Sequence, residues 1–155
     1  MDRYGGNLHT VDAPWGRIID PQDVADKLKD VVKPKLIAIV HAETSTGILQ
    51  PLVEIAELAK AHDALLVVDC VTSLCGTPVN LDELGIDAAY SGTQKCMSYP
   101  PGLSPVSFSR RAINAIHNQQ HKSNELVSRY GNDFQILGRR SSLSSHSTYF
   151  DELCA

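Results

Sequence analysis

The chain has 155 residues, 43% of them hydrophobic and 21% charged, the profile of one ordinary globular domain rather than a disordered segment. Its net charge of −4 argues against a general nucleic-acid binder or a polybasic membrane-surface protein. No apolar run approaches the ~20 residues of a membrane span, the first residues lack a signal-peptide layout, and Cys70, Cys75, Cys96 and Cys154 show neither zinc-ligand spacing nor the density of a disulfide scaffold. A reducing, cytoplasmic setting is therefore expected, with peroxisome or mitochondrion open to a eukaryotic parent.

In chain order, Leu8 to Asp12 reads as a short strand. Asp20-Pro21-Gln22-Asp23 predicts a helix start, with an Asp cap, Pro in the first turn and a second acid three residues on. Val24, Leu28, Val31 and Val32 then share one helical face. Leu36 to Val40 is an unbroken apolar run rich in β-branched residues, as a buried strand requires. Pro51 opens a second helix with Leu52, Ile55, Ala56 and Ala59 on one side. Leu65 to Val68 is another buried strand, ending at Asp69. Asp87 to Ser91 is a weaker strand, Val106 to Phe108 one more, and a helix follows from Arg110 to His117. Apolar strands joined by amphipathic helices predict an α/β fold, a mostly parallel sheet covered on both faces.

Ligands of such sheets bind outside the carboxyl ends of the strands. The segments that follow the three central strands, 41–47, 69–73 and 91–95, should therefore converge on one rim. They bring Asp69, Lys95 and several small hydroxyl and amide side chains. A lysine there is either a phosphate-binding charge or a nucleophilic amine. The phosphate reading would prefer a Walker-type or Gly-x-Gly-x-x-Gly loop, and neither occurs. The amine reading suits a carbonyl partner. Pyridoxal phosphate is the common one, and it needs a lysine, a carboxylate for its ring nitrogen and neutral donors for its phosphate.

Three motifs then become specific together: HAETSTGILQPL, LLVVDCVTSLCGTP and YSGTQKCMSYPPG, with 22 residues from Gly47 to Asp69 and 26 from Asp69 to Lys95. They resemble the class V, fold-type I aminotransferases, most of all the alanine–glyoxylate / serine–pyruvate group, and the resemblance runs from about Leu8 to Lys122. It implies the three-layer α/β/α large domain of that fold, here incomplete, and pyridoxal 5'-phosphate as cofactor. Lys95 would be the Schiff-base lysine and the base of the proton shift. Asp69 would pair with the ring nitrogen, Val71 would pack on a ring face, Thr44 would meet the ring's phenolic oxygen, and Gln94 would contact the phosphate. No metal is implied. The implied reaction moves an amino group from alanine or serine to glyoxylate or pyruvate, in a homodimer. Another class V enzyme, such as a kynurenine-pathway transaminase, is the rival of the same fold, and a non-catalytic truncated fragment is the rival of a different class.

The bland readings stand beside these. A lone lysine is most often a solvated charge, and an Asp after a strand is most often a cap. His41 reads either as lining the site or, the favoured reading, as a satisfied strand-end histidine, Cys96 as a small buried hydrophobe, and Trp15 as packing in a Pro-Trp-Gly turn rather than the cofactor's stacking ring. Pro100-Pro101-Gly102 reads as a rigid loop.

The last 34 residues change texture. They balance four basic against four acidic residues and hold seven of the serines. The family continues there with Trp-Tyr-Leu-Asp and Tyr-His-His-Thr motifs, which residues 123–155 do not show. Permitted codons for Ser144 to Ala155, read one base on, spell HHTLPILMNYA, and the same shift from Asn124 permits Ser-Trp-Tyr-Leu-Asp. A base gained or lost near codons 122–124 would account for the tail as out-of-frame translation, against a divergent or spliced tail. Residues 1–122 would then be the middle of the large domain. The aromatic stacking ring and the carboxylate-gripping arginine of the family would lie outside the chain, and the chain alone is expected to show no transamination.

Overall fold

The computed structural model describes residues 6–118. The tail expected to be out of frame, 123–155, lies outside the described residues.

Helix α1 (Pro21–Lys29) starts as its sequence dictates. Pro21 occupies the first turn, where a missing N–H costs nothing, and Asp20 caps it by accepting the Gln22 N–H at 2.8 Å. Val24 and Leu28 are buried, but the helix ends at Lys29, so Val31 and Val32 leave the expected face, and Val32 is 94% exposed. Strand β1 (Leu36–Val40) follows, then a small hairpin of β2 (Ala42–Glu43) and β3 (Ile48–Leu49). Gly47, at φ +71°, closes that hairpin by donating its N–H to the Glu43 carbonyl at 2.8 Å. Helix α2 (Val53–Ala61) buries Ile55, Ala56 and Ala59, with Leu52 beside them. Strand β4 (Leu65–Asp69), the short helix α3 (Leu81–Leu84), β5 (Ala88–Tyr90), β6 (Val106–Phe108) and α4 (Arg110–His117) complete the order.

The main sheet runs β1-β4-β5-β6. The first three strands are parallel, and β6 is antiparallel to β5. Side chains alternate across a strand, and the burial follows that alternation. Leu66, Val68 and Ala89 face a single core formed with Val24, Leu28, Ile55, Ala59, Leu81 and Ile86. The other face carries Leu36, Val40, Tyr90 and Val106, each between 42% and 49% exposed. The described residues therefore supply the sheet and one covering layer. That second face stays partly exposed among the described residues, as fits the incomplete three-layer domain that was expected. The expected strand at Leu8–Asp12 is also absent. No described strand lies beside it to complete a ladder, and Leu8 is 60% exposed.

At the amino ends of β4 and β5 a polar clamp joins sheet to helix. Asp87 is buried and accepts the Leu66 N–H at 3.0 Å, the Ser109 hydroxyl at 2.7 Å and two donors of Arg111 at 3.1 and 2.7 Å. Arg111 also reaches the Ala64 carbonyl and Asp63. Ser109 turns its Oγ to the Ala112 N–H as the cap of α4. Burial pushes the Asp87 carboxyl up, but the Arg111 hydrogen bonds, followed by those of Ser109 and Leu66, outweigh it and hold the group below its usual range.

We expect Arg111→Ala to lower stability by about 2–3 kcal/mol, since it leaves a buried carboxylate with neutral donors only. The folded Asp87 binds its proton less readily than the unfolded one. Its contribution is therefore present above the unfolded pKa and lost as pH falls through the folded value. Denaturant titrations between about pH 6 and 2 should show a steeper acid loss in the wild-type chain than in Asp87→Asn.

Candidate active site

The parallel register aligns Val40, Asp69 and Tyr90 in one row at the carboxyl ends of β1, β4 and β5. The segments that follow are tied to one another. The His41 N–H donates to the Asp69 carbonyl at 2.9 Å, and the Cys70 N–H to the Tyr90 carbonyl at 2.8 Å. The Thr72 hydroxyl donates to the Ala42 carbonyl. The Ser91 hydroxyl reaches the Cys70 carbonyl at 3.1 Å, and the Cys96 thiol the Thr72 carbonyl at 3.1 Å. The three segments do converge on one rim.

Asp69 sits half-buried on the open face of the sheet. Its Oδ1 accepts the Val71 N–H at 2.9 Å and its Oδ2 the Tyr90 hydroxyl at 2.7 Å. Among the described residues no cation pairs with it. A cavity of about 400 Å³ opens beside it, walled by Ala38, Val40 and Val67 of the sheet and by the turn at Pro14, Trp15 and Arg17. That turn closes through the Arg17 N–H to the Pro14 carbonyl at 3.0 Å. Trp15 is 83% exposed at the cavity wall, so the expectation that it serves as packing in its turn is corrected.

Lys95 lies exposed in a tight loop of residues 93–99. The loop is closed by the Ser98 N–H to the Lys95 carbonyl at 2.9 Å and the Tyr99 N–H to the Thr93 carbonyl at 3.0 Å. The Thr93 hydroxyl anchors it to the Pro100 carbonyl at 2.7 Å, so the proline-rich segment fixes the loop's base. Gln94 is exposed and folds its amide back over Gly92, where a Cβ would come within 2.9 Å of its Oε1. Thr44 is exposed in the β2–β3 turn, whose shape is held by the Ser45 N–H and hydroxyl on Glu43 at 2.9 and 2.6 Å. Val71 is half-buried directly after Asp69. Of the five sequence-predicted site residues, only Asp69 lines the cavity; the other four sit on the rim loops around the same strand ends.

Two bland readings change. Cys96 is exposed rather than buried, and its thiol is a hydrogen-bond donor that ties the Lys95 loop to the segment after Asp69. His41 is buried at the strand end as expected, but its Nδ1 has no partner, so it is not satisfied. Desolvation holds its pKa below the ordinary histidine value. Cys70, also buried, has its thiol pushed up to about 11 by desolvation, which leaves it inert as a nucleophile. Tyr90 was not singled out from the sequence. The signal was there in the pairing of two parallel strands whose ends both fall at the rim, but only the register makes the two side chains neighbours.

Close packing between the two loops yields a direct test. A Cβ on Gly76 would meet Cys96 Sγ at 2.8 Å and Cys96 Cβ at 3.2 Å. Gly76→Ala should cost about 1–3 kcal/mol by overpacking, and adding Cys96→Ala should recover most of that loss in a double-mutant cycle read by denaturant melts.

The chain belongs to the class-V aminotransferase family, whose sequence pattern matches residues 1–135. Among curated relatives, the (S)-ureidoglycine–glyoxylate transaminase of Bacillus subtilis (strain 168) is 45% identical over 115 residues, covering 74% of this chain and 27% of that protein. The alanine–glyoxylate aminotransferase of Drosophila melanogaster is 39% identical over 121 residues, covering 77% and 30%. Among solved structures, alanine–glyoxylate aminotransferase from Nostoc sp. superposes with a TM-score of 0.78 at 38% identity, over 94% of this chain and 38% of that one. Ureidoglycine–glyoxylate aminotransferase from Bacillus subtilis gives 0.76 at 37% identity, over 99% and 41%. The described residues thus adopt part of the fold-type I aminotransferase large domain, and the chain spans 27% to 31% of the length of the first curated relatives it matches.

Proposed function

We propose that the whole protein is a pyridoxal-phosphate-dependent aminotransferase that transfers the amino group of alanine or serine to glyoxylate or pyruvate. The observation that carries the reading is the Asp69 carboxylate, fixed by two neutral donors and without a cationic partner among the described residues, at the wall of a cavity at the strand ends. A carboxylate so placed suits a cationic ring nitrogen, and the residue types around the rim fit the remaining parts of the cofactor. When bound, pyridoxal phosphate supplies an aldehyde for amine exchange and a pyridinium ring that takes up the electron pair left when the substrate's Cα proton departs.

This chain's own residues then divide the work. Asp69 keeps the ring nitrogen protonated. Val71, half-buried after it, offers an apolar surface for a ring face, and Thr44 offers a hydroxyl for the ring's phenolic oxygen. Gln94 offers amide hydrogens to the phosphate. Lys95 supplies the amine that holds the aldehyde carbon. Freed by the substrate's own amine, the same Lys95 amine would take the proton from the substrate's Cα and serve as the base of the 1,3-proton shift. Lys95 makes no ion pair among the described residues, so no carboxylate competes for its nitrogen. The homodimer expected for the family belongs to this same reading.

A second donor class has an observation of its own. The 45% identity to the ureidoglycine–glyoxylate transaminase exceeds the 39% to the Drosophila alanine–glyoxylate enzyme. (S)-ureidoglycine is therefore the alternative donor, with glyoxylate as its acceptor.

The test is cofactor capture. The full chain is incubated with pyridoxal phosphate, reduced with borohydride and mapped by peptide mass. Lys95 should carry the label by about tenfold over other exposed lysines, as an activated amine would, and Lys95→Ala should remove it. Even labelling of all lysines would overturn the reading. Initial rates of the whole protein with alanine, serine and (S)-ureidoglycine against glyoxylate then choose the donor.

A further inference from the structure

We propose that Tyr90 is a positioning residue for Asp69, holding the carboxylate by its hydroxyl so that the remaining lone pairs face the adjoining cavity. The proposal rests on the reading of Asp69 as the partner of the cofactor's ring nitrogen.

The geometry begins with the register. Asp69 and Tyr90 are directly paired residues on neighbouring parallel strands, and both side chains lie on the sheet face that the core does not cover. Both line the same cavity. A carboxyl group turns about a soft, roughly two-fold terminal torsion, so a single donor leaves its plane free to swing. Here each oxygen has its own donor. The Val71 N–H holds Oδ1 at 2.9 Å and the Tyr90 hydroxyl holds Oδ2 at 2.7 Å. The first comes from the backbone and survives any side-chain change. The second depends on one phenol.

The donor is also suited to the task chemically. A cation at that position would compete with a cationic ring for the carboxylate, whereas a phenol donates without bringing charge. The Asp69 hydrogen bond, with burial and the Asp69 charge behind it, pushes the Tyr90 hydroxyl up to about 12. It therefore remains a donor across the working range of pH. Arg17 and Glu43 are the other charged residues on the cavity wall; Arg17 makes no ion pair to Asp69, and Glu43 is itself an anion.

The bland alternative is an exposed cross-strand pair that adds a little stability and nothing else. Tyr90→Phe separates the two, because it keeps the ring and removes only the hydroxyl. The full chain and this variant are compared for thermal stability, for the alkaline tyrosine absorbance step and for uptake of pyridoxal phosphate, whose absorbance is followed across pH. We expect a nearly unchanged melt, loss of the highest tyrosine step, cofactor affinity weaker by about tenfold as for one lost hydrogen bond to a charged group, and a displaced pH profile of the bound-cofactor absorbance. Asp69→Asn should lower the Tyr90 step toward the ordinary tyrosine value. Uptake by Tyr90→Phe with wild-type affinity and an unmoved pH profile would overturn the positioning role while leaving the Asp69 reading intact. Absence of uptake by the wild-type chain would overturn the Asp69 reading itself, and this proposal with it.

Discussion

Parallel pairing of three strands in one register is the constraint from which the site follows. Because β1, β4 and β5 run the same way and pair residue for residue, Val40, Asp69 and Tyr90 end in a single row. Every loop that leaves that row starts from a fixed position. A slip of one residue in β4 would turn Asp69 toward the core face, where Leu66 and Val68 are buried among helices. The alternating burial of β4, with Leu66 and Val68 turned inward, thus sets the orientation of the one carboxylate that the proposed chemistry needs.

The two ends of the sheet use polar groups differently. At the amino end, Asp87 is buried and met by Arg111, Ser109 and a backbone N–H, so its charge is neutralised and its hydrogen-bonding capacity is filled. That arrangement stabilises the joint between β4, β5 and α4 and leaves nothing for a ligand. At the carboxyl end, Asp69 has neutral donors only and keeps unfilled capacity toward a cavity. Two aspartates one strand apart therefore differ in role because of their partners. A satisfied, charge-paired carboxylate supports structure, and one oriented but not neutralised is available to a cationic ligand.

The rim loops are joined by small groups rather than large ones. A threonine hydroxyl, a serine hydroxyl and a cysteine thiol tie the segments after β1, β4 and β5 to one another's carbonyls. Such bonds fix backbone position with little bulk, which leaves the space above the strand ends open. Gly76 extends the same economy, since its missing side chain lets Cys96 approach. The open second face of the sheet, with Leu36, Val40, Tyr90 and Val106 partly exposed, is apolar surface of the kind that a further layer buries.

The sequence by itself determined the elements whose signal is strong and local. Asp20 and Pro21 mark the start of α1, Leu52 to Ala59 give α2 its buried side, and the apolar runs ending at Val40 and Asp69 mark the central strands. Motif spacing likewise marked Asp69 and Lys95 and led to the family that the comparisons established. Other features were decided only by tertiary structure. The β2–β3 hairpin and α3 are too short for periodicity to register, and β6 reverses direction because its partner, not its composition, sets its sense. Val31 and Val32 match the helical period, yet α1 stops at Lys29 before either joins its buried side. Tyr90 gained its neighbour, and Cys96 its carbonyl partner, from contacts between segments 21 and 24 residues apart. A residue's type and local period report what its own chain segment prefers. Which side chain meets which across the sheet is a matter of register and loop path, and only the folded chain specifies those.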